Sequence, residues 1–99
     1  MEFEWDSAKA AINLRKHGVR FEDAAQVFLG PNRIESFDDE GANDEDRWLT
    51  VGMVEPVLLV VACTVRGGGQ RERGGEIIRI ISARKADAHE RKKYREIQA

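Results

Sequence analysis

The sequence predicts a single α+β domain in which helices flank a β-sheet. Two short segments with helical patterns come first, strand-like runs then follow one another, and a charged helical pattern closes the chain. A chain of 99 residues provides one hydrophobic core and leaves no room for a second. We therefore expect residues 1–99 to form one domain.

The first helix is predicted from Asp6 to His17. Asp6 is a suitable N-cap, and the basic residues that end the segment suit the negative end of the helix dipole. Gly18 suits the left-handed conformation that closes many helices. The predicted apolar face consists of Ala8, Ala11 and Ile12.

A second, shorter helix is predicted directly after the first. Acidic residues occupy its first turn, and Gly30 and Pro31 end it. Its predicted buried side consists of Phe21, Ala24, Ala25 and Phe28.

The sheet is predicted from three successive runs. Arg47 to Val54 alternates imperfectly, Val57 to Val65 is apolar on both faces and so suits a central strand, and Glu76 to Ala83 is the third. Arg33 to Phe37 is a candidate edge strand. Short connections favour an antiparallel meander of three to four strands, although the glycine-rich stretch from Gly67 to Gly75 is longer.

The last helix is predicted to begin near Asp87. Asp87 and Glu90 have the spacing of a capping box, in which each side chain accepts a hydrogen bond from the other residue's backbone N–H group. Ala86, Glu90 and Tyr94 lie at positions i, i+4 and i+8, so they share one face of this helix.

Cysteine content and hydropathy indicate a cytoplasmic protein. Cys63 is the single cysteine and lies in an apolar run, so it is predicted to be a buried core residue in a reducing compartment. The first residues lack the pattern of a signal peptide, and the longest apolar run, Val57 to Cys63, has the length of a strand rather than of a membrane helix. We expect no association with a membrane.

The charged residues are unevenly distributed along the chain. The formal net charge of −2 argues weakly against nucleic-acid binding. The segment from Glu35 to Asp46 contains seven acidic residues and no basic residue, whereas basic residues outnumber acidic residues by ten to five between Arg66 and Glu96. Such an asymmetry favours a local positive face on an acidic protein.

Candidate functional residues concentrate where the third strand enters the last helix. They are Arg79, Ser82, Arg84, Lys85, Glu90, Arg91 and Tyr94. Arginine matches the oxygens of a phosphate group, and Glu and Tyr accept or donate protons, so the grouping indicates phosphate chemistry. In a regular strand Arg79 and Ala83 point to one face, and Ser82 and Arg84 point to the other. Either the chain turns near Ser82 and redirects Arg84, or one arginine is structural.

Several of these residues also have structural explanations. Glu90 suits the first turn of a helix, Tyr94 suits the core, and His17 suits the C-terminal end of the first helix. Exposed arginines such as Arg79 and Arg84 also form surface ion pairs, which contribute only about 0.2 to 1 kcal/mol. No set of His, Cys or carboxylate residues has the spacing of metal ligands, so we expect no metal and no other cofactor. The acidic run is interpreted as a solvated hairpin tip.

Three fragments together resemble the BrnT family of bacterial toxins. They are FEWDSAKAAINLRKHGVRFEDAAQVF, EDRWLTVGMV and IIRIISARKADAHERKKY, and they span nearly the whole chain. The resemblance implies a RelE-like fold, with two helices, a curved antiparallel sheet and a C-terminal helix. It implies a metal-independent ribonuclease that inhibits translation and growth. It also implies a BrnA-like ribbon-helix-helix antitoxin, bound in a heterotetramer that contacts DNA only through the antitoxin.

The matched motifs are the ISAR strand, the ER-x-x-Y helix and the KHGV segment. Lys85 and Arg66, which lie in the basic part of the chain, are further candidate residues. The predicted catalytic residues are Arg79, Arg84, Glu90, Tyr94 and His17. The predicted RNA-binding residues are Lys16, Ser82, Lys85, Arg91 and Arg66. Two features depart from the family pattern: the stretch from Gly67 to Gly75 is longer, and Cys63 stands where a Tyr is common.

The chemistry of RNA cleavage suits these residues. RNA carries its own nucleophile, the 2′-hydroxyl, so an enzyme assists its deprotonation, stabilises the charged transition state and protonates the leaving oxygen. The arginines are predicted to bind the phosphate, Glu90 or His17 to accept the proton, and Tyr94 to hold or stack the substrate. The same basic face could instead bind RNA or an acidic antitoxin segment without cleavage, because positioning and catalysis use the same arginines.

Overall fold

The computed structural model describes residues 1–38, 47–66 and 75–98. Its elements are β1 Glu2–Glu4, α1 Ser7–His17, α2 Phe21–Ala25, a 3-10 turn Gln26–Leu29, β2 Ile34–Asp38, β3 Arg47–Val54, β4 Val57–Arg66, β5 Ile77–Lys85 and α3 Ala88–Gln98. The predicted α+β class is confirmed. The interpretation of the acidic run as a hairpin tip falls on residues 39–46, which lie outside the described residues, as does most of the glycine-rich stretch, 67–74.

The described strands form one mixed sheet of five strands in the order β1-β5-β4-β3-β2. β1 runs parallel to β5, and the other neighbours are antiparallel. The prediction of three to four antiparallel strands is therefore wrong at one edge. β1 has only three residues, too few to show a strand period, and it pairs with the distant segment from Ile77 to Arg79. No local sequence pattern predicts the pairing of two segments that lie so far apart in the chain.

The remaining boundaries differ from the predictions in detail. β2 is the predicted edge strand, and β5 continues to Lys85, beyond the predicted end at Ala83. The second helix was predicted to continue to Phe28 but ends at Ala25, where the tighter 3-10 turn takes over. This turn brings Val27 so close to β3 that a Cβ atom at Gly52 would lie 2.7 Å from Val27 Cγ1. Only glycine fits there without displacing the turn.

The main core lies between the sheet and the first two helices. Its buried residues are Val19, Phe21, Ala24, Val27, Phe28, Leu59, Val61, Cys63, Ile78, Ile80 and Ala83. The aromatic rings of Phe3 and Phe28 lie 5.6 Å apart, which ties β1 to this core. Phe21, Ala24 and Phe28 are buried as predicted, and Cys63 is a core residue with 1% of its surface exposed.

A second, smaller core lies on the opposite face of the sheet beneath α3. It consists of Leu58, Val60, Ala86 and Tyr94, with Ile34, Leu49 and Val51 partly buried against them. β4 contributes to both cores, with Leu59 and Val61 on one side and Leu58 and Val60 on the other. This confirms that β4 is a central strand buried on both faces.

The ends of α1 agree with the predictions, but its buried face does not. The Asp6 carboxylate accepts hydrogen bonds from the backbone N–H groups of Ala8 and Lys9, at 2.8 and 3.1 Å, and Gly18 adopts the left-handed conformation with φ 71°. The predicted apolar face is exposed, since Ile12 has 51% of its surface in contact with solvent. The buried residue of α1 is instead the polar Asn13.

Asn13 is buried because it binds the edge of the sheet. β1 ends opposite Arg79, so no strand formed by the described residues pairs with the β5 backbone beyond Arg79 on this side. The Asn13 amide nitrogen donates to the Ala83 carbonyl at 2.9 Å, and its oxygen accepts from the Ala83 N–H group at 3.1 Å. A further hydrogen bond of 3.0 Å runs from the same amide nitrogen to the Val19 carbonyl. One side chain thus satisfies three buried backbone groups.

Candidate functional site

A β-bulge in β5 determines how the candidate residues are arranged. Ala62 of β4 lies opposite Ser82, but the next residue, Cys63, lies opposite Ile80. Ile81 is therefore the extra residue, without a partner on β4. An inserted residue shifts the alternation of side chains by one position from there onwards.

The bulge places three predicted residues on the same face. Arg79, Ser82 and Arg84 lie opposite Thr64, Ala62 and Val60, in that order, on the face that also carries α3. The prediction that Arg79 and Ser82 would point to opposite faces is therefore wrong, because it assumed a regular strand. Neither a turn at Ser82 nor a purely structural arginine is needed to explain the pattern. We call this surface the arginine face.

Arg84 is held by Glu90 from the first turn of α3. Its two terminal nitrogens donate to the two carboxylate oxygens at 2.8 and 2.7 Å. Glu90 also accepts from the Asp87 N–H group, and the Asp87 carboxylate accepts from the Glu90 N–H group, both at 2.8 Å, so the predicted capping box is confirmed. The hydrogen bonds from Arg84 above all lower the pKa of Glu90 to about 2.

This geometry favours one of the two roles considered for Glu90. A carboxylate with a pKa of about 2 remains ionised at neutral pH and is a weak proton acceptor. Both of its oxygens already accept hydrogen bonds. Glu90 is therefore suited to orient Arg84 rather than to act as a general base.

Arg79 and Arg66 share a second carboxylate on the arginine face. An Arg79 terminal nitrogen lies 3.1 Å from the Glu4 carboxylate, and one from Arg66 lies 2.9 and 2.8 Å from its two oxygens. Arg79, above all, lowers the pKa of Glu4. Both guanidinium groups remain partly exposed to solvent.

A basic cleft lies between α1 and the exposed edge of β5. It has a volume of about 180 Å³. Its lining residues are Lys9, Ile12, Asn13, Lys16, His17, Ile81 and Ser82. The structure thus brings the predicted residues Lys16 and His17 next to Ser82, which also belongs to the arginine face.

Three further predicted residues have contacts or positions of their own. Tyr94 is buried, and its hydroxyl donates to the Asn32 carbonyl at 3.1 Å, a position that favours the core role left open by the sequence. Arg91 donates to the Ala86 carbonyl at 2.8 Å. Lys85 lies opposite Leu59, which places it on the face of the sheet that carries α1 and α2.

Sequence reasoning missed Glu4 and Asn13. Glu4 gave little signal, because β1 has only three residues and so is too short to show a strand period. Asn13 gave no signal, because a polar residue in a helix is most often exposed.

The described residues 1–38, 47–66 and 75–98 contain no cluster of three or more His, Cys, Asp or Glu side chains placed to hold a metal ion. Burial raises the pKa of the Cys63 thiol to about 11, so this cysteine is neutral at physiological pH. In the same parts of the chain, no helix is long and apolar enough to cross a membrane.

The model of the family described as "Ribonuclease toxin, BrnT, of type II toxin-antitoxin system" matches residues 5–90, which is most of the chain. No curated protein shows significant similarity to the chain.

Proposed function

Because the chain belongs to the BrnT family of ribonuclease toxins from type II toxin-antitoxin systems, we propose that its arginine face is where RNA is bound and cleaved without a metal ion. The observation that carries this proposal is the bulge at Ile81, which turns Arg79, Ser82 and Arg84 to one face. Two permanent cations and a hydroxyl thus lie on one face, and these groups suit the binding of phosphate oxygens. α1 and α2 pack against the other side of the sheet, so this surface is left to the substrate and α3.

The proposed reaction uses the 2′-hydroxyl of RNA as the nucleophile. Its oxygen forms a bond to phosphorus while the bond from phosphorus to the 5′-oxygen breaks, leaving a cyclic phosphate and a 5′-hydroxyl. Arg79 and Arg84 stabilise the charge that develops on the phosphate oxygens. Glu90 fixes the orientation of Arg84, which preorganises this donor before the substrate arrives.

His17 is the proposed proton acceptor. It lines the cleft beside Ser82, and imidazole is the most common general base in enzymes, whereas both carboxylate oxygens of Glu90 already accept hydrogen bonds from Arg84. Lys16, from the same cleft, is proposed to bind the RNA backbone. In a cell, we expect cleavage to inhibit translation.

The proposed partner is a BrnA-like antitoxin of the ribbon-helix-helix class, assembled with the toxin as a heterotetramer. The family to which the chain belongs is part of type II toxin-antitoxin systems, and this supports a protein antitoxin as the partner. We also infer that the fold is a variant of the RelE-like type. An arrangement of two helices on one face and a C-terminal helix on the other supports this inference.

The decisive experiment separates catalysis from binding. Arg79→Ala and Arg84→Ala should each lower the single-turnover cleavage rate about 100-fold or more in the presence of EDTA, while RNA affinity changes much less. Arg20→Ala is the matched control, because Arg20 is an exposed arginine in a 3.7 Å ion pair with Glu22 outside the arginine face. Circular dichroism checks that each variant is folded.

Two results would contradict the proposal. Parallel losses of affinity and rate would make Arg79 and Arg84 phosphate anchors in a binding module. Activity that disappears with EDTA and returns with Mg²⁺ would show that a metal ion is needed.

A further inference from the structure

The Glu4 carboxylate occupies a position between two arginines that would suit a phosphate group. Arg66 contacts both carboxylate oxygens, and Arg79 contacts one of them. The side chains of Arg66, Arg79 and Glu4 are 66%, 43% and 30% exposed. The group therefore lies at the surface, where a ligand can reach it.

The three side chains come from three neighbouring strands. Glu4 of β1 lies opposite Arg79 of β5, which lies opposite Thr64 of β4, and Arg66 follows two residues later on β4. A carboxylate and a phosphodiester both present a pair of anionic oxygens, and guanidinium groups bind either with similar geometry. The lowered pKa of Glu4, caused first by Arg79, keeps the carboxylate anionic.

We propose that Arg66 and Arg79 form an anion subsite for an RNA phosphate, and that Glu4 fills this subsite until RNA displaces it. The inference rests on the proposed function and adds to it a competitor within the chain. The occupant is RNA rather than an acidic protein, because Ser82 and Arg84 continue the same face towards the cleft of His17.

The displacement requires little rearrangement. β1 is held by its backbone pairing with β5 and by the packing of Phe3 on Phe28, so the Glu4 side chain can swing away while the strand stays in place. Ion pairs between exposed side chains are weak, and a polyanion competes for them effectively. The contact of Glu4 with Arg66 and Arg79 thereby lowers the affinity of the toxin for RNA.

The test compares Glu4→Gln with Glu2→Gln. Both variants remove one negative charge from β1, and Glu2 is an exposed residue two positions earlier on the same strand. The probe is a short single-stranded RNA, with a 2′-O-methyl version for equilibrium binding because it lacks the attacking hydroxyl. Glu4→Gln should lower the Kd and the KM about three- to tenfold, and Glu2→Gln about twofold or less.

A combined variant tests whether the gain depends on the subsite. In a background that carries both Arg66→Ala and Arg79→Ala, Glu4→Gln should no longer improve RNA affinity, because both groups that Glu4 blocks are gone. A thermal melt of each variant shows whether β1 remains in place.

Each other outcome overturns the inference. If Glu4→Gln and Glu2→Gln improve affinity equally, only net charge matters. If Glu4→Gln lowers affinity or kcat, Glu4 positions Arg79 instead of blocking it. A wild-type protein that neither binds nor cleaves RNA would refute the proposed function itself, whereas cleavage without the Glu4 effect would refute only this inference.

Discussion

Asn13 takes the place of a neighbouring strand where β1 ends. Its amide presents a donor and an acceptor side by side, as a peptide group in a strand does, and both bind the backbone of Ala83. The same side chain also binds the Val19 carbonyl just after α1. Asn13 therefore attaches α1 to the sheet and fixes one wall of the basic cleft.

Replacing Asn13 should destabilise the protein strongly. Asn13→Ala leaves three buried backbone groups without partners, and we expect the free energy of unfolding to fall by about 2 to 4 kcal/mol. Arg15→Ala, an exposed change on the same helix, should alter it by less than about 0.5 kcal/mol. Urea denaturation of both variants measures the difference, and equal stabilities would show that water replaces the amide at no cost.

Single residues were predicted well where the signal is local. The N-cap at Asp6, the closing Gly18 and the capping box of Asp87 and Glu90 all follow from spacings of a few residues. Ala83, which binds Asn13, and Arg79, which binds Glu4, lie 70 and 75 residues away from these partners along the chain. Rules based on the spacing of nearby residues do not predict contacts between segments so far apart.

At the scale of elements, the bulge in β5 decides the geometry of the site. The sequence contains the site residues of β5 but not their relative orientation, because the position of an extra residue depends on the register with β4. A period of two therefore gives the wrong face for Arg79 relative to Ser82 and Arg84. The residue types of the candidate site can be listed from the sequence, whereas their arrangement on one face cannot.

Deleting Ile81 should leave the two arginines on one face. Without the extra residue, Arg79 and Arg84 are four positions apart in a regular strand and can still lie opposite Thr64 and Val60. We expect the cleavage rate of the deletion variant to stay within about tenfold of the wild-type rate, whereas loss of one arginine should lower it about 100-fold or more. Single-turnover kinetics on the folded deletion variant provides the measurement.

A folded deletion variant that loses as much activity as Arg79→Ala would contradict this account. It would show that catalysis requires the bulge itself and not only Arg79 and Arg84 on one face. Circular dichroism is needed in the same experiment, because an unfolded variant would be inactive for another reason.

At the scale of the whole molecule, the sheet separates the larger core from the arginine face. The larger core, α1 and α2 lie on one side, and the arginine face with α3 lies on the other. The α+β class was predictable because the helical and strand periods differ clearly along the chain. The mixed topology was not, because the parallel pair of β1 and β5 joins opposite ends of the sequence.

The proposed function predicts a cellular effect. Induction of the wild-type chain in a bacterium should stop growth and reduce the incorporation of labelled amino acids, because cleaved RNA no longer supports translation. Arg79→Ala combined with Arg84→Ala should leave growth near normal at equal soluble expression. Normal growth with confirmed soluble wild-type protein would instead favour a module that binds RNA or antitoxin without cleaving.

The pairing of β1 with β5 also sets an order of events during synthesis. Residues 2–4 are synthesised 75 residues before their partners at 77–79. The contact of Glu4 with Arg79 therefore cannot form until β5 has been made. Because the arginine face is built from the same strand, neither this face nor its proposed blocking by Glu4 exists in a nascent chain that lacks β5.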